Sequence, residues 1–497
     1  MSKRILLVRP DAIGDVVLMI PLINTLKTTF PDCQISVLLQ PYTQAILDNH
    51  PQVDEVILDW KKAGKIQSFK DTLAYARFLK DKHFDAVLLP FSDDYYVRLM
   101  FLARIPIRIA DGNKLGIRPF LTHPVPIPFR NALMHETEQN LKLVEPLVKV
   151  WKAAKLMPNL TMDLAIDAQA KVDAQTLLAE AGWTGEPLVM IHPSSGGGNR
   201  HWIPEAYGRL IDRIKAEGPH NVVVTGFGQK DLDLVARMVA TAQSKPLVLA
   251  GKTSLEQLKA VIALCRVVIG TDTGPTHMAA ALKVPVVSVS PTKFVKSLRW
   301  GPWQTPNRVV GNPSACPYVC NPYRCRLPDC LEALTVDRVD QAVQAVLGNP
   351  TLPDDGAMKQ AWFVASMNVM IALDGDATEP DYRLAGHYVE LAKIAGLPAV
   401  VVVETHKQAL RFRQYHHHLI PVVIPKWQVV SMVDFLMRKD ITLIHHLNPK
   451  WRWYWMVLRQ IAALKVYCPP VPVFFKQQFA KADGLVAAYY REFEAYF

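Results

Sequence analysis

The stretch Cys265 to Pro291, CRVVIGTDTGPTHMAAALKVPVVSVSP, constrains the fold more than any other. An apolar β-branched run (Val267, Val268, Ile269) leads into a polar turn of Thr271, Asp272, Thr273 and Gly274. Pro275, a small-residue segment and a second apolar run from Val284 to Val289 follow. That order predicts strand, loop, helix, strand. Proline at the first helical position costs little, since its missing N–H would have no partner there, so the helix begins at the turn. Free N–H groups and the positive dipole end at such a terminus suit an anion, usually phosphate. Thr273 and Thr276 add hydroxyls, and Ala279 to Ala281 let the helix lie close to its sheet. The structural alternative is an ordinary capped connection.

The same alternation runs through the chain. Ile5 to Val8 reads as a buried strand, followed by a turn from Arg9 to Gly14 and a helical pattern from Asp15 to about Phe30 that Pro21 should kink. Strands at Gln34–Leu39, Glu55–Leu58 and Ala86–Leu89, with a helix at Asp71–Lys80, continue it. The Pro-rich stretch His123–Phe129 and a helix over His135–Lys152 lead out of this first block. A second block has strands at Leu188–His192, Asn221–Thr225 and Leu247–Leu249, with helices at Pro204–Glu217, Asp231–Thr241 and Ser254–Leu264, before the opening unit. Such alternation predicts α/β architecture with parallel sheets covered on both faces. We expect a domain over 1–160, a second over 161–350, a linker at 351–360 and a smaller α/β domain over 361–497. Ligands of open parallel sheets sit at the carboxyl ends of strands, so the loops after residues 8, 192, 225 and 270 should converge on a cleft.

Composition narrows the partners. Lys and Arg exceed Asp and Glu by 56 to 45, a net charge of +11, which favours an anionic partner. There is no Lys/Arg tract, zinc finger or RNA-binding aromatic motif, so nucleic acid is not expected. The N-terminus MSKRILLVRPDA has too short an apolar core for a secretory signal. No apolar run approaches the roughly 18 residues of a membrane span. A cytoplasmic protein is expected, attached to a membrane at most peripherally, with its seven cysteines mainly reduced.

Asp15 follows Gly14 at a predicted helix start, where the dipole would keep its carboxylate ionised. Such a group can serve as a general base for a hydroxyl whose proton becomes acidic late in attack on an oxocarbenium-like carbon. A capping aspartate without chemistry is the alternative. Four motifs agree in order and spacing: RPDAIGDVVLMIPLINTL, HPSSGGGNRHWIPEAYGRLI, VVVTGFGQKD and TDTGPTHMAAALKVPVVSVSPT. Together they resemble glycosyltransferase family 9, the heptosyltransferases of bacterial lipopolysaccharide assembly, over residues 1 to about 348.

The resemblance implies a GT-B fold of two Rossmann-like domains and an inverting, metal-independent transfer of heptose from ADP-heptose to a lipid A–core oligosaccharide. It implies Asp15 as base, with Arg9 and Gly14 near the acceptor. Ser194, Ser195, Arg200, Gly226, Gln229, Asp272, Thr273, Gly274 and His277 fall at the donor. Arg200 stands where the family often has lysine, keeping the charge while changing the geometry. Gln229 stands where many relatives have a glutamate that holds the nucleotide, which loosens the nucleotide assignment. The implied partners are a nucleotide sugar and a phosphorylated glycolipid, with an anionic inner-leaflet surface nearby and no cofactor required.

Cys316, Cys320, Cys325 and Cys330 lack the paired CxxC of common zinc sites and read as a structural loop, zinc being the minor alternative. The tail shows strand-like runs at Asn368–Leu373, Ala399–Val403, Ile420–Ile424, Ile441–Ile444 and Val471–Phe475. Its acidic group Asp374, Asp376, Glu379 and Asp381 lacks calcium-loop order, His416 to His418 read as a surface cluster, and Trp451 to Trp455 as an aromatic helix face rather than a bilayer anchor. Two rival functions remain at this level. One is a nucleotide-sugar or glycolipid-binding scaffold. The other is a different nucleotide-dependent enzyme, an epimerase or a dehydrogenase, the latter opposed by the missing GxGxxG after the first strand.

Overall fold

The computed structural model describes residues 2–112, 116–127, 135–194, 201–290, 297–311 and 332–348, with short pieces of 369–446. The first sheet contains β1 (Arg4–Val8), β2 (Gln34–Leu39), β3 (Glu55–Leu58), β4 (Ala86–Leu89), β5 (Ile107–Asp111) and β6 (His123–Val125). The second contains β7 (Leu188–His192), β8 (Asn221–Val224), β9 (Leu247–Val248), β10 (Cys265–Gly270), β11 (Val286–Ser290) and β12 (Asn307–Gly311). All their pairings are parallel.

Their orders are β3-β2-β1-β4-β5-β6 and β12-β11-β10-β7-β8-β9. Counted from the first strand of each, both are the doubly wound Rossmann order, reversing between β1 and β4 and between β7 and β10. Every residue of β4 and β7 is buried, as a central strand covered by helices on both faces requires. One apolar cluster is continuous across the two halves, joining Val16, Leu18 and Ile20 to Ile262, Met278 and Ala280.

A third parallel sheet, in the order β15-β14-β13-β16, contains β13 (Val369–Leu373), β14 (Ala399–Val403), β15 (Val422–Val423) and β16 (Leu443–His446). A helix at His406–Tyr415 follows β14. Four of the five expected tail strands are present, and Val471–Phe475 lies outside the described residues.

Two expected helices are corrected. The pattern from Asp15 to Phe30 is split into Ile13–Val17 and Ile20–Thr29. Pro21 does not kink a continuous helix; it lies in the first turn of the second one, where its missing N–H is tolerated. In the same way Pro146 opens Glu145–Val150, separating it from Glu136–Leu141 within the expected His135–Lys152 helix. The Pro-rich stretch supplies the edge strand β6, a position that proline can occupy.

The two halves are also joined by buried polar contacts. Lys259, 1% exposed, donates to the carbonyls of Ala45 in the first half and Ala165 in the connection, both at 2.8 Å. His135 Nε2 lies 2.9 Å from the Gly301 carbonyl, and the Trp303 indole donates to Leu160 at 3.1 Å.

Candidate active site

Two helix starts meet at the switch points of the two sheets. After β1 the chain turns into Ile13–Val17, and after β10 into the helix Gly274–Ala281, which carries Pro275 in its first turn. They approach closely because both lack a side chain at the contact. A Cβ at Gly14 would fall 2.5 Å from His277 Cδ2, and one at Gly274 would fall 2.7 Å from Ile13 Cγ2. Glycine is required at both places by space alone.

On the first side Arg9 is buried at the end of β1. Its Nη2 donates to Asp15 Oδ1 and, at 3.2 Å, to Glu136 Oε1. Its Nε lies 3.1 Å from Asp11 Oδ1, an ion pair in which neither atom completes a hydrogen bond. Burial alone would lower the Arg9 pKa, but the carboxylates of Asp11, Asp15 and Glu136 together raise it, so the guanidinium stays charged. Burial pushes the Asp11 carboxyl up to about 7, Arg9 opposing this while Asp15 and Glu136 add to it.

The dipole expected to hold Asp15 as a carboxylate has little length behind it, since Ile13–Val17 has only five residues. The counter-charge comes from Arg9 instead. Asp15 remains partly open, its side chain 21% exposed. Gln40 donates to the Asp11 carbonyl and fixes the loop after β2 against the loop after β1. From that second loop Tyr42, 56% exposed, has its hydroxyl pKa raised by partial burial and by the charges of Asp11 and Asp15.

On the second side the loops are tied to one another. Thr271 donates to the Ser194 carbonyl at 2.7 Å, linking the ends of β10 and β7. His192 Nε2 and Ser194 Oγ are 3.0 Å apart, as are His192 Nδ1 and Thr225 Oγ1, which brings the end of β8 into the same network. Burial pushes the His192 imidazole down to about 4, so the ring is neutral and gives one hydrogen bond while accepting the other. The Thr273 N–H donates to Thr276 Oγ1 at 3.2 Å, and Thr276 donates to the carbonyls of Thr271 and Thr273. His277 Nε2 donates to Asp272 Oδ1 at 3.0 Å, while its buried Nδ1 has no partner among the described residues.

The structure thus brings Gly14 against His277 and Gly274 against Ile13, with Arg9 bound to Asp15 on the first side and His277 to Asp272 on the second. Ser194 is buried with its hydroxyl on His192, where it braces the loop. Gly226 packs against Asp231, which accepts from the Phe227 N–H at 2.9 Å. Gln229 is exposed and gives its amide to Asp233 at 2.8 Å, along its own helix. Ser195, Arg200, Cys316, Cys320, Cys325 and Cys330 lie outside the described residues, as do Asp374, Asp376, Asp381, His417, His418 and Trp451 to Trp455. Among the described residues no group of His, Cys, Asp and Glu has metal-binding geometry.

Sequence reading missed Asp11, Tyr42, Glu136 and Arg299. Asp11 carried a signal, being two residues from Arg9. The others reach the site only through folding.

The model of glycosyltransferase family 9 (heptosyltransferase) matches residues 72–329. The chain belongs to glycosyltransferase family 9. As a family 9 member it is a glycosyltransferase, and its two facing Rossmann-like sheets are those of the GT-B fold. It is 29% identical over 298 residues to lipopolysaccharide heptosyltransferase 3 of Escherichia coli (strain K12), covering 58% of this chain and 82% of that one. It is 27% identical over 295 residues to lipopolysaccharide heptosyltransferase 2 of Salmonella typhimurium, covering 58% and 82%. Among solved structures, a family 9 glycosyltransferase from Veillonella parvula aligns with a TM-score of 0.59 at 22% identity, over 70% of this chain and 98% of that one. E. coli ADP-heptose lps heptosyltransferase II aligns with a TM-score of 0.56 at 20% identity, over the same shares of 70% and 98%. These two likenesses speak to the fold.

Proposed function

We propose that this glycosyltransferase moves heptose from ADP-heptose to a lipopolysaccharide core acceptor with inversion at the anomeric carbon. The observation that carries the reading is the contact between the helix start that bears Asp15 and the one that follows the Thr271–Gly274 turn, where Gly14 lies against His277 and Gly274 against Ile13 with no room for a side chain. The curated relatives named as lipopolysaccharide heptosyltransferases supply the substrate class.

In this reading the acceptor hydroxyl attacks the anomeric carbon from the face opposite the diphosphate. The new C–O bond forms as the bond to the phosphate oxygen breaks, the hydroxyl proton passes to Asp15, and ADP leaves with the bonding pair. Negative charge then grows on the leaving oxygen, which in this reading lies toward the positive dipole end of Gly274–Ala281 and the Gly274 N–H, the Thr273 N–H being given to Thr276 and Pro275 having none. Asp272 would repel a diphosphate, and its hydrogen bond from His277 draws that charge aside. Transfer without a divalent cation is part of this proposal. A lipid-borne acceptor places the enzyme at the cytoplasmic surface of the inner membrane, in keeping with a net charge of +11. Among the described residues no helix is long and apolar enough to cross a membrane.

The test is a transfer assay on the full chain with ADP-heptose and delipidated core oligosaccharide, with and without EDTA, beside thermal shifts with ADP-, UDP- and GDP-sugars and NAD. Turnover of ADP-heptose that survives EDTA is expected. Stabilisation by UDP-sugars or NAD alone, with no heptosyl transfer, would overturn the reading in favour of another nucleotide-dependent enzyme.

A further inference from the structure

The counter-charge on Arg9 is shared across the two halves of the enzyme. Glu136, 4% exposed, begins the helix Glu136–Leu141 that follows the first sheet. Its Oε1 accepts from Arg9 Nη2 at 3.2 Å, and its Oε2 accepts from Arg299 Nε at 2.9 Å and Arg299 Nη2 at 2.6 Å. Arg299 belongs to the short helix Ser297–Trp300 between β11 and β12 of the second sheet, and it is 8% exposed. The series Arg299, Glu136, Arg9, Asp15 is therefore a continuous line of alternating charge from the donor half to the proposed base.

A buried carboxylate placed between two guanidiniums is costly unless both remain in place. Here burial alone would raise the Glu136 pKa, and Arg299 and then Arg9 outweigh it to leave the group below the usual carboxylate range. A fully neutralised Asp15 would be a poor base. Glu136 draws on the same Arg9 nitrogen that Asp15 uses, so Arg9 is divided between the two rather than spent on Asp15 alone. Among the described residues, other charged and titratable groups near this pair are Asp11 and Tyr42 on the first side and the His277–Asp272 pair across the Gly14 contact.

We propose that Glu136 is a positioning residue: anchored by Arg299 of the donor half, it holds Arg9 in place and takes part of its charge, so that Arg9 is not spent on Asp15 alone. The proposal rests on Asp15 being the base of the transfer reading above.

Opposite charge changes at the two ends of the line must move the Asp11–Asp15 pair in opposite directions. Removing the negative charge of Glu136 leaves Arg9 to Asp11 and Asp15 and lowers the Asp11 midpoint, which Glu136 helps to raise. Removing the positive charge of Arg299 raises it. The experiment follows carbodiimide labelling of the Asp11–Asp15 peptide against pH by mass spectrometry in wild type, Glu136→Gln, Glu136→Asp and Arg299→Gln, alongside kcat and KM for ADP-heptose. Expected are a downward shift in E136Q and an upward shift in R299Q, with kcat in E136Q reduced by about tenfold to a hundredfold and KM little changed. E136D, which keeps the charge, should recover the wild-type midpoint and most of kcat. Shifts of the same sign, or none in either variant, would overturn the relay even if both variants lose activity through misfolding. The labelling needs no turnover, so absence of heptosyl transfer in the wild type would sink the functional reading while the relay itself is still decided by the two shifts.

Discussion

Gly14 and His277 are in contact across the cleft so closely that one added methyl at Gly14 would sit 2.5 Å from His277 Cδ2. His277 is in turn held by Asp272 at 3.0 Å, so the ring cannot swing away without giving up that bond. Gly14→Ala should therefore wedge the two helix starts apart. Overpacking of this kind costs about 1–3 kcal/mol, and a comparable loss in the transition state lowers kcat/KM by roughly tenfold to a hundredfold. We expect that loss with a melting temperature reduced by a few degrees. Steady-state kinetics and calorimetry on the purified variant would check it, and an unchanged kcat/KM would mean that the contact does not set the site's geometry.

Asp15 accepts from Arg9 and retains an open edge toward the cleft, so its replacement by asparagine keeps shape and the hydrogen bond while removing the ability to take a proton. Asp15→Asn should lose about a hundredfold to ten-thousandfold in kcat. Affinity for ADP, measured by titration calorimetry, should stay within about twofold, because the charge removed is on the acceptor side. Undiminished turnover would remove Asp15 from the role of base.

How much of this was legible in the sequence depends on how far apart the cooperating residues lie. Leu188–His192 and Ala399–Val403 match their expected bounds because a buried parallel strand announces itself as an apolar β-branched run bracketed by turns. The turn at Asp272–Gly274 was readable because Pro275 fixes where the helix starts. Pro21 misled because a proline between two helical patterns can kink one helix or open a second, and here it opens the second, as Pro146 does in Glu145–Val150. Glu136 and Arg299 carried no local signal at all. They are 163 positions apart, each in a short helix, and their charges acquire meaning only when Arg9 lies between them and Asp15. Gly14 was read as a turn residue, whereas its actual constraint comes from a histidine that the sequence places in the other half of the molecule.

Lys259 joins the two halves from a fully desolvated position, its ammonium satisfied by Ala45, Ala165 and Glu256. Lys259→Met preserves much of the stem's packing but leaves two carbonyls without their donor. The expected destabilisation is about 2–4 kcal/mol, since unpaired acceptors cost about 1–3 kcal/mol each when fully buried, these two carbonyls are only partly buried, and the pair with partly exposed Glu256 adds less. Urea unfolding should show a lower midpoint. Limited proteolysis should show faster cleavage in the connection around Ala165, and a variant as resistant as wild type would mean that the apolar cluster alone holds the halves together.

His192 gives the donor half a predictable acid sensitivity. Burial, helped by His201 and opposed by Asp231, takes its imidazole from the ordinary 6.5 down to about 4, so the folded protein keeps the ring neutral where the unfolded chain would protonate it. The unfolded state therefore binds the extra proton between these values, and stability that is fully present above pH 6.5 is lost as pH falls toward 4. The gap corresponds to about 3 kcal/mol at most. His192→Gln, whose amide can still bridge Thr225 and Ser194 but does not titrate, should remove that one-proton slope while the wild type retains it. Urea unfolding at a series of pH values would separate the two, and parallel curves for wild type and variant would show that this histidine is not the group linking donor-loop stability to pH.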